Sequence, residues 1–340
     1  MKRTGSLFDQ AFTEAGLYQA YLDARKSKRR KRACFQFERR IGTQIHALLD
    51  ELKSGTYRPR PYYQFVVHEP KPRLIHAPAF RDCVVQHAIY RVIYPLFDRT
   101  FIGQSYACRP GYGTHKAADY AQRALRQCAP ESYTLKLDVR RFFYSIDRAI
   151  LRQLIERKIK DRRFVDVMML FAEHGAPIGI PIGNLLSQLY ALIYLNPLDH
   201  FVKRDLGIRL YCRYVDDSVL FGLSQAQAFA LRGRIVEFLA SRLHLQISKS
   251  TIAPVSRGIN FVGYRTWRRC RYIRKHALYV ANRAIASGDR AGLVSSLGHA
   301  KRTASLRHLL HSTRERNHDL YRSLPESYRR LDHAHAGHAN

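Results

Sequence analysis

Apolar side chains follow two different periods along this chain, and each period predicts a different kind of element. Helical spacing of apolar residues predicts helices at residues 7–24, 36–53, 80–98, 148–172, 184–204 and 224–243. Short apolar runs between turn residues predict strands at residues 62–68, 74–76, 133–139, 210–215, 218–221 and 259–264. The Gly-, Pro- and Ile-rich stretch at residues 175–183 is expected to be irregular. No apolar run reaches the ~18 residues that a membrane-spanning helix needs, which excludes an integral membrane protein.

The charge balance indicates a binding partner for this chain. The 340 residues include 58 Lys and Arg against 27 Asp and Glu, a formal net charge of +31. Charge this one-sided repels itself in a folded protein and is typical of chains with a polyanionic partner, of which nucleic acid is the first candidate. The apolar share of 46% excludes a disordered protein. The length suggests two domains, or one domain with appendages.

Two segments carry most of this basic character. Seven of the eight residues at positions 25–32 are Lys or Arg, and we expect this run to touch phosphates, although such runs are often only solvated. From residue 265 to residue 340 there are 16 Lys and Arg against 5 Asp and Glu. This change in composition predicts a separate, helical C-terminal lobe.

The cysteines and the N-terminus indicate a compartment. Six cysteines are spread along the chain with no Cys-x-x-Cys pair, so neither a zinc ribbon nor a disulfide framework is expected. No apolar signal core follows the first six residues. We therefore expect reduced thiols in a cytoplasmic protein.

Acidic residues at the ends of predicted strands are the strongest chemical signal. Asp216 and Asp217 lie at a turn between two apolar strands, and Asp138 ends a third. A turn is an ordinary place for acids, so the pair alone has a structural explanation as well. If the strands are neighbours in one sheet, however, three carboxylates converge, and such hard oxygen ligands hold Mg²⁺ for phosphoryl transfer. A basic protein with this cluster is expected to be a polymerase or a nuclease.

The motifs around these acids resemble those of reverse transcriptases, in order and in spacing, over about residues 60–270. Tyr-Val-Asp-Asp at residues 214–217 is similar to their Tyr-x-Asp-Asp motif. The other matching segments are residues 105–115, 137–147, 179–188 and 254–264. The resemblance implies an RNA-directed DNA polymerase, a nucleotidyltransferase that binds template RNA, a DNA primer and dNTPs.

A finer resemblance links the chain to the reverse transcriptases of diversity-generating retroelements, which are related to those of group II introns and retrons. It rests on residues 81–88, 182–188 and 194–199. It implies error-prone copying opposite adenine in a structured template RNA, mutagenic retrohoming of the cDNA into a target gene, and a small, basic, oligomeric accessory protein. Leu186 and Leu192 depart from residues common in that family. Two alternatives stay open: a phage-defence reverse transcriptase that copies its own non-coding RNA, and a non-catalytic RNA-binding scaffold.

The resemblance also implies a fold and a set of boundaries. The expected fold is an α+β right-hand polymerase with fingers, a palm built on an antiparallel sheet, and a small helical thumb. We place a basic helical N-terminal segment at residues 1–60, fingers and palm at residues 61–264, and a basic helical thumb and tail at residues 265–340.

Roles for individual residues follow from the same resemblance. Two Mg²⁺ ions are expected on Asp138, Asp216, Asp217 and the carbonyl of Val139. Lys249 is the candidate general acid that protonates pyrophosphate, although a solvated lysine has the same sequence signal. Asp147 is expected to cap the following helix instead of binding metal.

The remaining roles concern the nucleotide and the two strands. The triphosphate is expected to bind Lys71, Arg73 and Arg81. Phe143 is expected to exclude a 2′-hydroxyl, and Ile182 and Gly183 to border the nascent base pair. Ile182 stands where most reverse transcriptases have Gln, and it cannot make the hydrogen bonds that Gln makes. The residues expected to contact template or primer are Ser187, Gln188, Phe261, Gly263 and Tyr264.

Overall fold

The computed structural model describes residues 3–68 and 72–336. The chain divides into two compact units that alternate along the sequence. Unit 1 consists of Met1–Pro110, Leu137–Arg209 and Leu231–Ser250. Unit 2 consists of Gly111–Lys136, Leu210–Ala230 and Thr251–Asn340. The predicted division at residues 60 and 264 stays a prediction.

Helices make up most of the ordered structure. In chain order they are α1 (Leu7–Ala11), α2 (Glu14–Ala24), α3 (Arg32–Glu38), α4 (Ile41–Ser54), α5 (Phe80–Asp98), α6 (Thr114–Gln127), α7 (Phe142–Ser145), α8 (Arg148–Glu156), α9 (Arg162–Leu170), α10 (Leu185–His200), α11 (Gln225–Leu243), α12 (Lys275–Ser287), α13 (Arg290–Ala300), α14 (Ser305–Arg316), α15 (His318–Arg322) and α16 (Glu326–Ala336). A π-helical turn, Phe201–Asp205, continues α10. In the residues that the structure describes, no helix is long and apolar enough to cross a membrane.

Nine strands form three sheets in the described part of the chain. They are β1 (Tyr63–His68), β2 (Pro72–Ala77), β3 (Tyr133–Val139), β4 (Tyr211–Tyr214), β5 (Asp217–Leu223), β6 (Ile247–Pro254), β7 (Ile259–Phe261), β8 (Tyr264–Thr266) and β9 (Arg271–Ile273). One sheet is the hairpin β1–β2, the second has the order β4-β5-β3-β6, and the third has the order β7-β8-β9. This mixture of helices with antiparallel hairpins confirms the predicted α+β class.

Capping side chains divide helices that the apolar period predicts as continuous. The expected helix at residues 7–24 breaks at Thr13, whose hydroxyl accepts a hydrogen bond from the Gly16 amide and starts α2. The expected helix at residues 148–172 becomes α8 and α9, because Asp161 caps α9 through the amide of Phe164. A cap satisfies amides that would otherwise lack partners, so it begins a new helix even where the apolar stripe continues.

Other expected elements differ at their ends or were missed. The expected helix at residues 36–53 is divided between the end of α3 and α4. Its end is as expected, at Ser54 before Gly55, which has a left-handed φ of 75°. The expected strand at residues 259–264 is two strands joined by a tight turn. Strand β6 was missed because half of its residues are polar or charged. Strand β9 was also missed, because residues after Trp267 read as helical.

Helix α10 forms the centre of the unit 1 core. Eleven of its sixteen residues are buried, on all sides of the helix, which is the pattern of a core helix. Asn184 caps its first turn by accepting a hydrogen bond from the amide of Ser187. Unit 2 has its own core, in which Tyr264, Ile273, Leu293 and Leu309 pack between β8, β9, α13 and α14.

Candidate active site

The Tyr-Val-Asp-Asp motif forms a two-residue hairpin turn. Strands β4 and β5 are antiparallel, with Tyr214 opposite Asp217. Val215, the first residue of the turn, has a left-handed φ of 55°, which is an outlier for a β-branched residue. The carbonyl of Val215 accepts a hydrogen bond of 2.8 Å from the guanidinium of Arg213, a side chain that is only 1% exposed. A buried cation therefore holds a strained turn directly before Asp216.

The carboxylate of Asp217 is engaged by a lysine of strand β3. Lys136 Nζ lies 2.7 Å from Asp217 Oδ2 and donates a second hydrogen bond of 2.7 Å to the carbonyl of Asn260. The same ammonium lies 6.0 Å from the centre of the Phe261 ring. Lys136 thus connects the start of β5 with β7, all within unit 2.

Asp138 lies two residues beyond Lys136 on the same strand, so the alternation of a strand places both side chains on one face. Ser248 Oγ donates to Asp138 Oδ2 and lies 3.1 Å from the carbonyl oxygen of Asp138. Val139 is buried, and the amide of Arg140 donates to the carbonyl of Gln246 at 2.7 Å. Across residues 3–68 and 72–336, no three His, Cys, Asp or Glu side chains are already arranged as a metal site.

In unit 1, strand β2 is bonded to the segment that carries Ile182 and Gly183. The amide of His76 donates to the carbonyl of Ile182 at 2.7 Å. Gly183 has a φ of 115°, and a Cβ atom there would lie 2.7 Å from Ile75 Cγ2. Arg73 is exposed and lies two residues before Ile75, on the same face of β2. The structure therefore brings three of the predicted nucleotide-binding residues into one neighbourhood.

Phe143 belongs to the same neighbourhood. Its carbonyl accepts a hydrogen bond of 2.8 Å from the amide of Ile180, and Gly179 approaches the backbone of Tyr144 so closely that a Cβ atom would lie 2.9 Å away. Phe142 is buried, whereas Phe143 is half-buried, with its ring 5.5 Å from that of Phe142. Phe143 is therefore the more accessible of the two rings.

The other predicted triphosphate contacts and the general acid are placed differently. Lys71 lies outside the described residues. Arg81 forms an ion pair with Glu51 and lies 5.5 Å from the centre of the Tyr57 ring, so its charge is used within the packing of α4 and α5. Lys249 is exposed on β6.

The predicted template and primer residues differ in exposure. Ser187 is 1% exposed, while the adjacent Gln188 is exposed. Phe261 and Tyr264 are buried on either side of a turn in which Val262 and Gly263 have φ values of 45° and 89°. Both left-handed positions make this a turn of the I′ type. Of this turn, only the half-buried Val262 and Gly263 reach the surface.

Tyr264 is anchored by histidines of unit 2. Its ring stacks on that of His299 at 4.5 Å, and its hydroxyl lies 3.1 Å from His115 Nδ1. Burial raises the pKa of Tyr264 and lowers the pKa of His299. Both shifts favour the neutral forms of these two stacked rings.

Asp147 caps α8, as its sequence position predicts. Its carboxylate accepts hydrogen bonds from the amides of Ala149 and Ile150 and lies 3.0 Å from His244 Nδ1. Partial burial acts to raise the pKa of Asp147, but these hydrogen bonds outweigh burial and hold the pKa below its usual value. The carboxylate is thus used in structure.

Sequence reasoning missed Lys136, Arg213 and Ser248. A signal existed for the first two, because each is a cation inside an otherwise apolar strand next to a catalytic motif, where an unpaired charge is costly. No comparable signal marked Ser248.

The similarity to known proteins agrees with this geometry. Residues 67–266, more than half of the chain, match the family described as reverse transcriptase (RNA-dependent DNA polymerase). The chain is 26% identical over 295 residues to protein YkfC of Escherichia coli K12, covering 73% of this chain and 76% of YkfC. It is 29% identical over 170 residues to the group II intron-encoded protein LtrA of Lactococcus lactis, covering 46% of this chain but only 28% of LtrA.

Solved structures show the same fold at low identity. Apo telomerase from Candida tropicalis has a TM-score of 0.51 at 12% identity, covering 82% of this chain and 63% of the telomerase chain. This likeness confirms the predicted right-hand polymerase fold. Reverse transcriptase domains generally use divalent metal ions, typically Mg²⁺, and bind template RNA and DNA. The chain therefore belongs to the reverse transcriptase family, as an RNA-directed DNA polymerase and nucleotidyltransferase.

Proposed function

We propose that this chain copies a template RNA into cDNA with two Mg²⁺ ions held by Asp138, Asp216, Asp217 and the carbonyl of Val139. The observation that carries the proposal is the contact between Lys136 and Asp217. It fixes the start of β5 beside β3, two residues before Asp138. Carboxylate and carbonyl oxygens are the ligands that Mg²⁺ prefers, so the donor set fits the ions.

The bound ions supply charge stabilisation for the entering and leaving oxygens of phosphoryl transfer. The residues of the chain do the positioning. Ser248 orients the Asp138 carboxylate, Arg213 fixes the backbone before Asp216, and Lys136 balances the charge of Asp217.

The nucleotide contacts follow from the neighbourhood of β2 in unit 1. Arg73, exposed on β2, binds the triphosphate. Lys71, which lies outside the described residues, is proposed as a second contact on the strength of its motif position. Phe143 packs against the sugar and excludes a 2′-hydroxyl, because its ring is partly exposed while Phe142 is buried. Gln188 contacts the template, since it is exposed on the first turn of α10.

Three assignments rest on the motifs more than on the geometry. Lys249 is exposed and free to reach pyrophosphate as the general acid. Arg81 and Ser187 support the residues that touch the nucleotide and the template, because each is largely enclosed in the unit 1 core. At the turn between β7 and β8, the backbone of Gly263 approaches the primer. The buried rings of Phe261 and Tyr264 support this turn from the protein interior.

The finer proposal is that the copying is error-prone opposite adenine and serves diversification of a target gene. It is supported by Ile182, an aliphatic side chain at a position next to Gly183 and β2. Loss of a hydrogen bond worth ~1 kcal/mol lowers discrimination several-fold. A small, basic, oligomeric accessory protein and a structured RNA are the proposed partners. A phage-defence enzyme is the second candidate, and sequencing cDNA made from the native RNA separates the two by adenine-directed errors.

Replacing one metal ligand tests the core of the proposal. Asp216→Asn should abolish dNTP incorporation, because the amide cannot supply the negative charge that holds the ions. RNA affinity should persist, because the net charge of +31 supplies most of it. The measurements are primer extension and filter binding on one RNA.

Asp205→Asn is the matched control, an exposed acid in the π-helical turn after α10. It should extend primers like the unaltered chain. Normal incorporation by Asp216→Asn would contradict the two-ion assignment.

A further inference from the structure

An open cavity of about 350 Å³ lies on the surface of unit 2, at the loop between β8 and β9. The residues that line it include Trp267, Tyr272 and Val255, together with Arg268 and Arg269. This volume is at the small end of ligand pockets. It suits a single planar group better than a folded segment.

Trp267 is held in place on several sides. The guanidinium of Arg265 lies 4.9 Å from the centre of its ring, and the Tyr272 ring meets it edge-on at 6.0 Å. A Cβ atom on Gly258 would come within 2.8 Å of the indole. The backbone carbonyl of Trp267 accepts a hydrogen bond of 3.3 Å from Gln122. A half-buried aromatic ring that is already immobilised loses little entropy when a ligand stacks on it.

The sequence that forms the cavity is strongly basic. From residue 238 to residue 288 the sequence contains no Asp or Glu and ten Lys and Arg. Arg269 is exposed, and Arg268 is partly exposed, with its carbonyl accepting a hydrogen bond from Arg126. Aromatic rings beside guanidinium groups are the combination that binds single-stranded nucleic acid.

We propose that this cavity binds one unpaired nucleotide of single-stranded RNA, with its base against Trp267 and Tyr272 and its phosphate against Arg268 and Arg269. RNA is the occupant because an RNA-directed polymerase handles long unpaired stretches of RNA outside the copied hybrid. A duplex does not fit, since its bases are not free to stack on a protein ring. The site adds a second anchor for the RNA, distinct from the metal-binding acids.

Trp267 provides a specific reporter, because it is the only tryptophan in the sequence. Titration of the full chain with a twelve-nucleotide uridine RNA should quench its fluorescence to saturation. An RNA of the same length and charge without bases should bind more weakly and leave the fluorescence nearly unchanged. Equal quenching by both RNAs would overturn the stacking assignment, and so would no quenching by either.

Substitutions of Trp267 test the stacking contact. Trp267→Leu should raise the Kd for the uridine RNA, measured by anisotropy of a labelled RNA, about 5- to 100-fold. Trp267→Phe should recover most of the affinity, because it keeps a ring. Tyr18→Leu, which removes an exposed ring of α2 in unit 1, is the matched control and should leave Kd unchanged.

Equal Kd values for the Leu and Phe variants would show that the side chain only supports the fold. Quenching by an acidic peptide but not by RNA would assign the cavity to a protein partner instead. Tighter binding of single-stranded DNA than of RNA would overturn the choice of RNA. Polymerase activity is not the readout, so failure here leaves the metal assignment untouched.

Discussion

At the scale of single residues, the polymerase motif contains a strained backbone that a buried side chain holds in place. Val215 has a left-handed backbone, which costs a β-branched residue of order 1–3 kcal/mol. The hydrogen bond from the buried Arg213 holds the turn in this conformation. Strain of this kind persists only where the surroundings over-determine it, so the backbone at Asp216 is expected to be well defined before any ligand binds.

Ile182 carries the prediction about fidelity. Because its carbonyl is bonded to the amide of His76, a substitution changes the side chain without releasing the backbone. Ile182→Gln should lower misincorporation opposite adenine several-fold, the size expected for ~1 kcal/mol of recovered discrimination. The measurement is the mismatch frequency per template base in cDNA made from one RNA.

Ile178→Gln is the matched control, since Ile178 is 53% exposed in the same irregular segment. It should leave the error spectrum unchanged. Equal adenine-directed errors for both variants, at comparable activity, would show that residue 182 does not set fidelity. Accurate copying by the unaltered chain would favour the phage-defence alternative.

At the scale of elements, the close approach of Gly183 to β2 fixes the predicted nucleotide pocket. Gly183→Ala places a methyl group 2.7 Å from Ile75 Cγ2 and 3.2 Å from the carbonyl oxygen of His76. The packing of residue 183 against Ile75 must therefore change, and Arg73 lies two residues from Ile75 on β2. The KM for dNTPs should therefore rise several-fold in steady-state extension assays.

Gly175→Ala separates crowding from backbone conformation. Gly175 also has a left-handed φ, 87°, but a Cβ atom there meets nothing within 4 Å. This control should destabilise the loop slightly and leave KM unchanged. A similar rise in KM for both variants would show that loop conformation, and not contact with β2, is responsible.

The basic run at residues 25–32 contains some side chains in ion pairs with acids of this chain and others that are exposed to solvent. Arg25 lies 2.9 Å from Glu38, Lys26 lies 2.7 Å from Asp23, and Arg29 lies 3.8 Å from Glu38. These three charges are already partly balanced by the chain. The exposed Arg30, Lys31 and Arg32 are therefore the better candidates for phosphate contacts.

Neutralising Arg30, Lys31 and Arg32 with Gln should reduce the slope of log Kd against log salt by up to about 2, since each phosphate contact contributes ~0.7 for single strands. The measurement is RNA binding at several salt concentrations. The same substitution of Arg25, Lys26 and Arg29 is the control and should change the slope less. An unchanged slope in the first variant would show that the run is only solvated.

At the scale of the whole molecule, partly buried histidines link stability to pH. Burial first, and the charge of Lys28 second, lower the pKa of His87 to about 4, whereas an unfolded chain has a His pKa near 6.5. Between these values the unfolded state binds more protons, so stability is complete above pH ~6.5 and falls as the pH drops towards 4. Burial lowers the pKa of His76, His174 and His299 in the same direction.

His87→Gln should therefore lose less stability between pH 7 and pH 5 than the unaltered chain, as measured by urea unfolding. His68→Gln is the control, because His68 is exposed on β1. If the unaltered chain and His87→Gln have parallel pH profiles, then His87 takes up its proton in the folded state as easily as in the unfolded one.

The sequence was enough to locate the acids and most of the apolar elements, because strand alternation and helical period are local properties. It was not enough for the helix breaks at Thr13 and Asp161, where a cap competes with a continuing apolar stripe. Strand β6 has polar and charged residues at half of its positions, so pairing with β3 defines it, not its own pattern.

The candidate active site was likewise predicted only in part from the sequence. Asp138 and Asp216 are visible as motif residues, whereas Lys136 and Ser248 matter through partners that lie 81 and 110 positions away in the chain. Such partners depend on strand order, which no local pattern contains. Tyr264 is the converse case, since its motif position indicates primer contact while its ring lies in the core.

The two valine turns of unit 2 bear on engineering. Val215 and Val262 both occupy left-handed positions where Gly or Asn would be relaxed. Selection for heat resistance alone would replace them, because each exchange relieves backbone strain. Any programme that ranks variants by melting temperature will therefore move first towards the polymerase motif and the turn between β7 and β8, and activity has to be screened alongside to keep both valines.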